Sequence, residues 1–188
     1  MTIRDLFPTR LYQGAVDVTD LADACRDVAA QDRAGQRWAK EHGYRGYTSY
    51  ASLNDLPHRD PVIADLVRAL DRHVAGFAKA SGFRLAKKLR CDSIWINVMK
   101  PGATHSGHIH PHSAVSGTVY VETPPGSGGI RFEDPRLPLT MAAPLGDERF
   151  VTVDPAPGMV LLWESWLRHE VLASSAKAER ISVSFNYS

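Results

Sequence analysis

The sequence predicts a mainly β fold with flanking helices: a double-stranded β-helix, or jelly-roll barrel, with two N-terminal helices packed on one of its sheets. Three observations predict it. From Cys91 onward the spacing of apolar residues changes from the helical period to the strand period of two. Eight short strand-like runs follow, most of them separated by Gly, Pro, Asp and Ser turn residues, and eight strands suit a jelly roll. Ahead of Cys91, two amphipathic segments carry apolar stripes that need a surface to cover. At 188 residues the chain is most simply one domain. Residues 1–90 supply a strand, helices and a loop packing on the barrel, and residues 91–188 form the jelly-roll catalytic core.

In order, Phe7–Val16 reads as an opening strand with Pro8 near its start. Thr19 reads as an N-cap, followed by Leu21, Ala24, Cys25 and Val28 at helical spacing in a helix running to about Arg33. Arg33–Asp60 sets Trp38, His42, Tyr44, Tyr47 and Tyr50 among glycines and polar residues, which reads as a helix remnant and then a long loop. Its aromatics are expected to pack on the core, with a lid or substrate-side wall as the alternative. Asp60–Pro61 is a helix start, and Ile63, Leu66, Val67, Leu70, Val74 and Phe77 share one face before Ser81–Gly82 ends it. The eight strand runs are 92–99, 108–110 with its flanks, 117–122, 129–133, 150–153, 159–163, 170–173 and 180–187. The glycine-rich stretch 124–129 lacks the lysine and following helix of a phosphate loop and reads as a hairpin turn. Asp134 and Arg136 read as a turn pair, Trp163 and Trp166 as barrel packing, and His42, His58 and His73 as surface residues.

Composition narrows the function classes. Lys+Arg of 22 against Asp+Glu of 21 leaves a net charge of +1, and no basic run supplies a local patch, so nucleic acid is not an expected partner. No stretch approaches membrane-spanning length and the N-terminus has no apolar leader core, so a cytoplasmic location with no membrane partner is expected. Cys25 and Cys91 are too few for a disulfide framework and suit a reducing compartment.

The chemistry concentrates in Thr104–Ser116, THSGHIHPHSAVS, which holds four of the eight histidines. In an extended strand, side chains at i and i+2 share a face, so His108 and His110 would converge. Neutral imidazole is the commonest ligand for iron, zinc and copper. The only later histidine is His169, giving a candidate mononuclear metal site of His108, His110 and His169. The competing reading is a solvated, turn-rich surface. In the last strand, Arg180, Ser182, Ser184 and Asn186 share one face and Ile181, Val183, Phe185 and Tyr187 the other. An inward Arg180 demands an anion, because burying an unpaired guanidinium costs several kcal/mol. The alternative is an edge strand with its polar face in water. The run 92–99 argues against that, since Ser93, Trp95, Asn97 and Met99 form a similar mixed face.

His108-Ile109-His110-Pro111, Ser116-Gly117-Thr118-Val119-Tyr120, the distal His169 and Arg180-Ile181-Ser182 occur in that order. Over roughly 92–188 the chain resembles the iron(II)- and 2-oxoglutarate-dependent dioxygenases, in particular a bacterial branch with H-x-H-P…S-G-x-x-Y. The resemblance implies Fe(II) held by His108, His110 and His169. It also implies 2-oxoglutarate as co-substrate, its far carboxylate bound by Arg180 with a hydrogen bond from Ser182. Asn97 and Tyr120 would add cofactor contacts. The implied reaction consumes O2, releases succinate and CO2, and most often hydroxylates a substrate, either a small molecule or a protein side chain. Such barrels often pair, so a homodimer is also implied. The chain departs from the family in placing His110 where a carboxylate usually binds the metal. That leaves the site one unit more positive, which dianionic 2-oxoglutarate would offset. Glu122 as the true ligand, or another metal, stays open. Two alternatives remain at this stage: a cupin-like three-histidine metalloenzyme without 2-oxoglutarate, and a non-enzymatic jelly-roll module whose metal takes a fourth ligand, His105 or His112.

Overall fold

Alternation along Arg180–Tyr187 gives that stretch one apolar and one polar face, and the fold is built around it. In the computed structural model, which describes residues 1–136 and 149–188, it forms β10. The other strands are β1 (Leu11–Ala15), β2 (Gly46–Thr48), β3 (Cys91–Met99), β4 (His105–His108), β5 (Val115–Glu122), β6 (Ile130–Glu133), β7 (Phe150–Val153), β8 (Met159–Glu164) and β9 (His169–Val171). The helices are α1 (Leu21–Gln31), α2 (Arg33–Glu41), α3 (Leu56–Arg59) and α4 (Pro61–Ala80).

Two antiparallel sheets result, of order β1-β8-β5-β10-β3-β2 and β4-β9-β6-β7. They face each other across a cavity without joining into one closed barrel, as in the double-stranded β-helix. The apolar residues of β10 meet Ile94, Ile96 and Val98 of β3 on one side of the large sheet. There α1 (Leu21, Cys25) and α4 (Ile63, Leu66, Leu70, Val74, Phe77) cover them in one core. Each buried aliphatic or aromatic side chain contributes roughly 1.5–3 kcal/mol. A second cluster, Tyr120, Ile130, Phe132, Leu161, Trp163 and Leu167, lies on the side of the cavity. The start of α4 is as the sequence predicts. Asp60 Oδ1 accepts from the backbone N–H of Val62 at 2.8 Å and of Ile63 at 3.4 Å, with Pro61 at the first helical position.

Five sequence expectations need correction. The segment 33–60 is not a helix remnant and loop: it contains α2, β2 and α3, and β2 pairs with β3 at the sheet edge. Asp32 ends α1 and caps α2 by accepting from Gly35 N–H at 2.9 Å, so one polar residue breaks what reads as a single fading helix. The residue preceding α1 is Asp20 rather than Thr19, whose hydroxyl donates to Asp17 instead. The stretch 124–129 is not a hairpin, because β5 and β6 lie in different sheets and it carries the chain between them. Trp166 is 48% exposed, its indole N–H on Glu164, so it packs in no barrel. His42 and His58 are exposed as expected, whereas His73 is half-buried and paired with the Tyr12 hydroxyl at 2.8 Å. Both cysteines are free. Among the described residues, no helix is long and apolar enough to cross a membrane.

Candidate metal centre and its cavity

β4 and β9 pair so that His108 stands directly opposite His169. His110 does not reach them by strand parity, as the sequence reading had it, because β4 ends at His108. The chain instead turns toward Pro111, with the His110 N–H bonded to the Ser165 carbonyl at 3.0 Å, and this swings the imidazole back. One nitrogen from each of the three rings lies within 4.8 Å of the others. Two of the rings are oriented by backbone carbonyls. His108 Nδ1 sits 2.7 Å from Ser106 O, and His169 Nδ1 sits 2.9 Å from Leu167 O. A proton on each Nδ1 leaves Nε2 bare as a ligand, the usual support for a metal-binding histidine. His110 Nε2 and His169 Nε2 are already 3.4 Å apart. Burial between Trp163 and Phe132 pushes the His169 pKa down to about 3, and burial brings His110 down to about 4. Both rings are therefore neutral, the state a metal requires.

The other candidate ligands stand elsewhere. Glu122 pairs with Arg26. His105 Nε2 is 2.7 Å from the Tyr44 hydroxyl, and His112 is exposed with φ +71°. Among the described residues the metal-competent group is thus three imidazoles, without a carboxylate or a fourth protein ligand. A three-ligand set leaves positions open for exogenous ligands.

The triad opens on a cavity of about 560 Å³, to which both sheets and the 38–50 segment contribute. Arg180 is 3% exposed. Its Nη1–H donates to Gly128 O at 2.8 Å, its Nη2 meets Met99 Sδ at 2.7 Å, and Nε has no partner among the described residues. No carboxylate reaches it there, and its burial lowers its pKa. Arg180 is also the only charged side chain in the described lining. Ser182, Asn97 and Tyr120 occupy the next level of the same wall, since Ser182 lies opposite Asn97 on β3 and Tyr120 on β5. Burial pushes the Tyr120 hydroxyl up to about 12, so it is a neutral donor.

Sequence reasoning missed part of this wall. The Asn97 carboxamide accepts from Thr48 Oγ–H at 2.9 Å and is 3.5 Å from Tyr44 Oη. Burial, and after it the charge of Arg180, holds His105 down to about 4, while burial pushes the Tyr44 hydroxyl up against the pull of the same charge. Trp38, Tyr44 and Tyr50 line the cavity, whereas Tyr47 is buried in the core with its hydroxyl on Asp32. The wall alternative for the 38–50 aromatics thus holds for three of the four tyrosine and tryptophan residues. The signal was there as aromatics in a segment of mixed character, but only the tertiary pairing of β2 shows which ones turn inward.

A family model described as "Putative 2OG-Fe(II) oxygenase" matches residues 93–186. No curated protein matches the chain. Among solved structures, the chain is similar to EctD from S. alaskensis in its apoform. That alignment has a TM-score of 0.65 and 17% identity, over 95% of this chain and 72% of that one. It is also similar to HygX from Streptomyces hygroscopicus with nickel and 2-oxoglutarate bound, with a TM-score of 0.57 and 15% identity, over 95% and 82% of the two chains. An oxidoreductase of the 2OG-Fe(II) oxygenase family from Burkholderia pseudomallei aligns with 60% of this chain, which spans half of that protein's length, at 20% identity and a TM-score of 0.47. At these identities the structural likenesses are likenesses of fold. The family match covers half of the sequence, including the cavity-lining residues of β3, β5 and β10, all three histidines and Arg180, and by it this chain belongs to the 2OG-Fe(II) oxygenases, whose cofactors are iron(II) and 2-oxoglutarate.

Proposed function

We propose that this chain is a non-haem iron(II)- and 2-oxoglutarate-dependent oxygenase that hydroxylates its substrate with release of succinate and CO2. The observation that carries the reading is the pairing of two features in one cavity: three converging imidazoles, and a buried guanidinium with no acid partner among the described residues. The donor set fits iron(II), with His108 and His169 presenting Nε2 and His110 completing the face. Bound iron(II), with 2-oxoglutarate and O2, supplies the oxidising chemistry. The protein's own residues bind, orient and keep water out.

Arg180 takes the far carboxylate of 2-oxoglutarate through a charge-assisted pair, for which the planar guanidinium is suited. Its unpartnered Nε is a donor held in reserve. Ser182, Asn97 and Tyr120 line the path between that anchor and the histidines. Tyr44 and His105, in contact at 2.7 Å, close its other side. Three neutral imidazoles bring no charge to a divalent ion, so a dianionic co-substrate brings the complex to about neutrality. The histidine in place of a carboxylate is thereby accommodated.

That same three-histidine set favours a second reading, a cupin-like metalloenzyme working without 2-oxoglutarate; the unpaired Arg180 speaks against it. Metal analysis of anaerobically purified protein, followed by absorbance of the iron–keto-acid complex and a succinate-release assay, separates the two. Iron loading with a new absorbance band on adding 2-oxoglutarate supports the oxygenase. Iron loading with no band and no succinate, whatever the 2-oxoglutarate concentration, overturns it.

A further inference from the structure

Directly opposed residues of an antiparallel sheet share a face, so the register divides the cavity wall into rows. Met99 and Arg180 form the first row, Asn97, Ser182 and Tyr120 the second, and Trp95, Ser184 and Thr118 the third. Two residues along a strand advance about 6.6–6.8 Å, which sets the third row about 13 Å from the first. The third row belongs to the metal rather than to Arg180: the Trp95 ring lies 5.8 Å from that of His110. The Tyr50 ring lies 5.2 Å from that of Trp95, centroid to centroid, and Tyr50 is 65% exposed, so this aromatic pair runs from the histidines to solvent.

Besides the Trp95 indole N–H, the polar groups of the third row are two hydroxyls, and they are loosely held. Ser184 Oγ–H reaches Thr118 Oγ1 at 3.4 Å, Thr118 Oγ–H reaches Val183 O at 3.4 Å, and Asn97 Nδ2–H reaches Ser184 Oγ at 3.3 Å. Ordinary O–H···O bonds are about 2.5–3.0 Å long, so a ligand could replace these at little cost. The row beyond is closed, with Ser116 Oγ 2.7 Å from both Ser165 Oγ and Asn186 Oδ1. No charged side chain of the described residues lines the third row.

We propose that this row is the substrate subsite, and that its occupant is an uncharged small molecule with a flat, apolar ring face and a hydroxyl or carbonyl group. The ring lies on Trp95 and Tyr50, and the polar group meets Ser184 and Thr118. A charge placed there would be buried without a partner, at a cost of several kcal/mol. Arg180, the one cation of the described lining, is committed to the co-substrate two rows away and so offers no counter-charge to an anionic guest, and no carboxylate of the described residues lines the cavity to pair with a cationic one. The cavity, at about 560 Å³, is of a size to hold a co-substrate and one small ligand together. Naming the occupant a substrate rests on the oxygenase reading; the ligand preference of the row does not.

The test is anaerobic calorimetry of the full chain with three matched probes: 2-naphthol, 2-naphthoate and 2-naphthylmethylammonium. It is run with iron(II) and 2-oxoglutarate and again without either. We expect 2-naphthol to bind about tenfold more tightly than either charged probe, and Trp95→Ala to weaken it about tenfold. Tyr50→Ala, at an exposed position that folding does not need, should weaken it in the same direction. Unchanged 2-naphthol affinity in both variants, or equal affinity for a charged probe, overturns the inference. Absence of the iron–keto-acid band with the probe preference intact overturns the oxygenase reading instead.

Discussion

Arg180 is the residue whose energetics and role are most sharply opposed. A guanidinium at 3% exposure with one carbonyl, one thioether and, among the described residues, no carboxylate around it costs stability until an anion arrives. Arg180→Met should therefore melt higher than the parent in buffer free of dicarboxylates, by about 1–4 kcal/mol. It should lose 2-oxoglutarate affinity about a hundredfold or more while keeping its iron. Denaturant melts and co-substrate titrations read the two effects separately, and a variant that is both less stable and fully competent to bind would refute this account. The histidines set a pH dependence. Burial holds His169 at about 3 and His105 and His110 at about 4, below the ordinary 6.5. Below pH 6.5 the unfolded chain takes up protons that the folded chain refuses. Stability is therefore full above about 6.5 and falls as pH drops toward 4. Urea midpoints of the metal-free protein between pH 7.5 and 5 should decline, and His169→Asn should flatten the curve. These residues were legible in the sequence because imidazole and guanidinium have few uses in a core, and their order along the chain is distinctive. The pairing of His105 with Tyr44 was not, because a tyrosine in a polar segment carries no mark of where it points.

At the scale of elements, α4 offers two substitutions of opposite sign. Asp60→Ala removes the acceptor for two N–H groups at its start and should cost about 1 kcal/mol. Gly76 lies exposed inside the same helix, and a methyl there would meet nothing within 4 Å, so Gly76→Ala should stabilise by up to about 1 kcal/mol. Chemical denaturation checks both, and neither should move co-substrate affinity, since no residue of α4 lines the cavity. This helix was plain in the sequence from its cap, its apolar stripe and its terminal glycine. β2 was not: three residues carry too little alternation to register, and its strand character comes from pairing with β3. The 124–129 crossing was misread for a similar reason, since glycine and proline announce a turn without saying which sheet the chain enters next. Its Gly128 carbonyl is one of the groups that hold Arg180.

For the whole molecule, residues 1–90 and 91–188 share one sheet and one cavity. β1 and β2 from the first ninety residues form both edges of the large sheet, and Trp38, Tyr44, Thr48 and Tyr50 complete the cavity. The isolated segment 91–188 would expose the face that α1 and α4 cover, and it lacks one wall of the site. We expect that fragment to show weak near-ultraviolet dichroism, strong dye binding and no 2-oxoglutarate affinity; a cooperative melt with intact affinity would show the N-terminal part to be dispensable. The sandwich itself was readable from eight runs of alternating residues, while the partnership of its edges depended on long-range pairing that no local pattern records. The solitary guanidinium has one more consequence. Whatever small diacid settles against it favours the folded chain by mass action, so resistance to proteases in a crude extract should rise and fall with the supply of such metabolites. Starved of them, the protein would be cleared sooner than when they are plentiful.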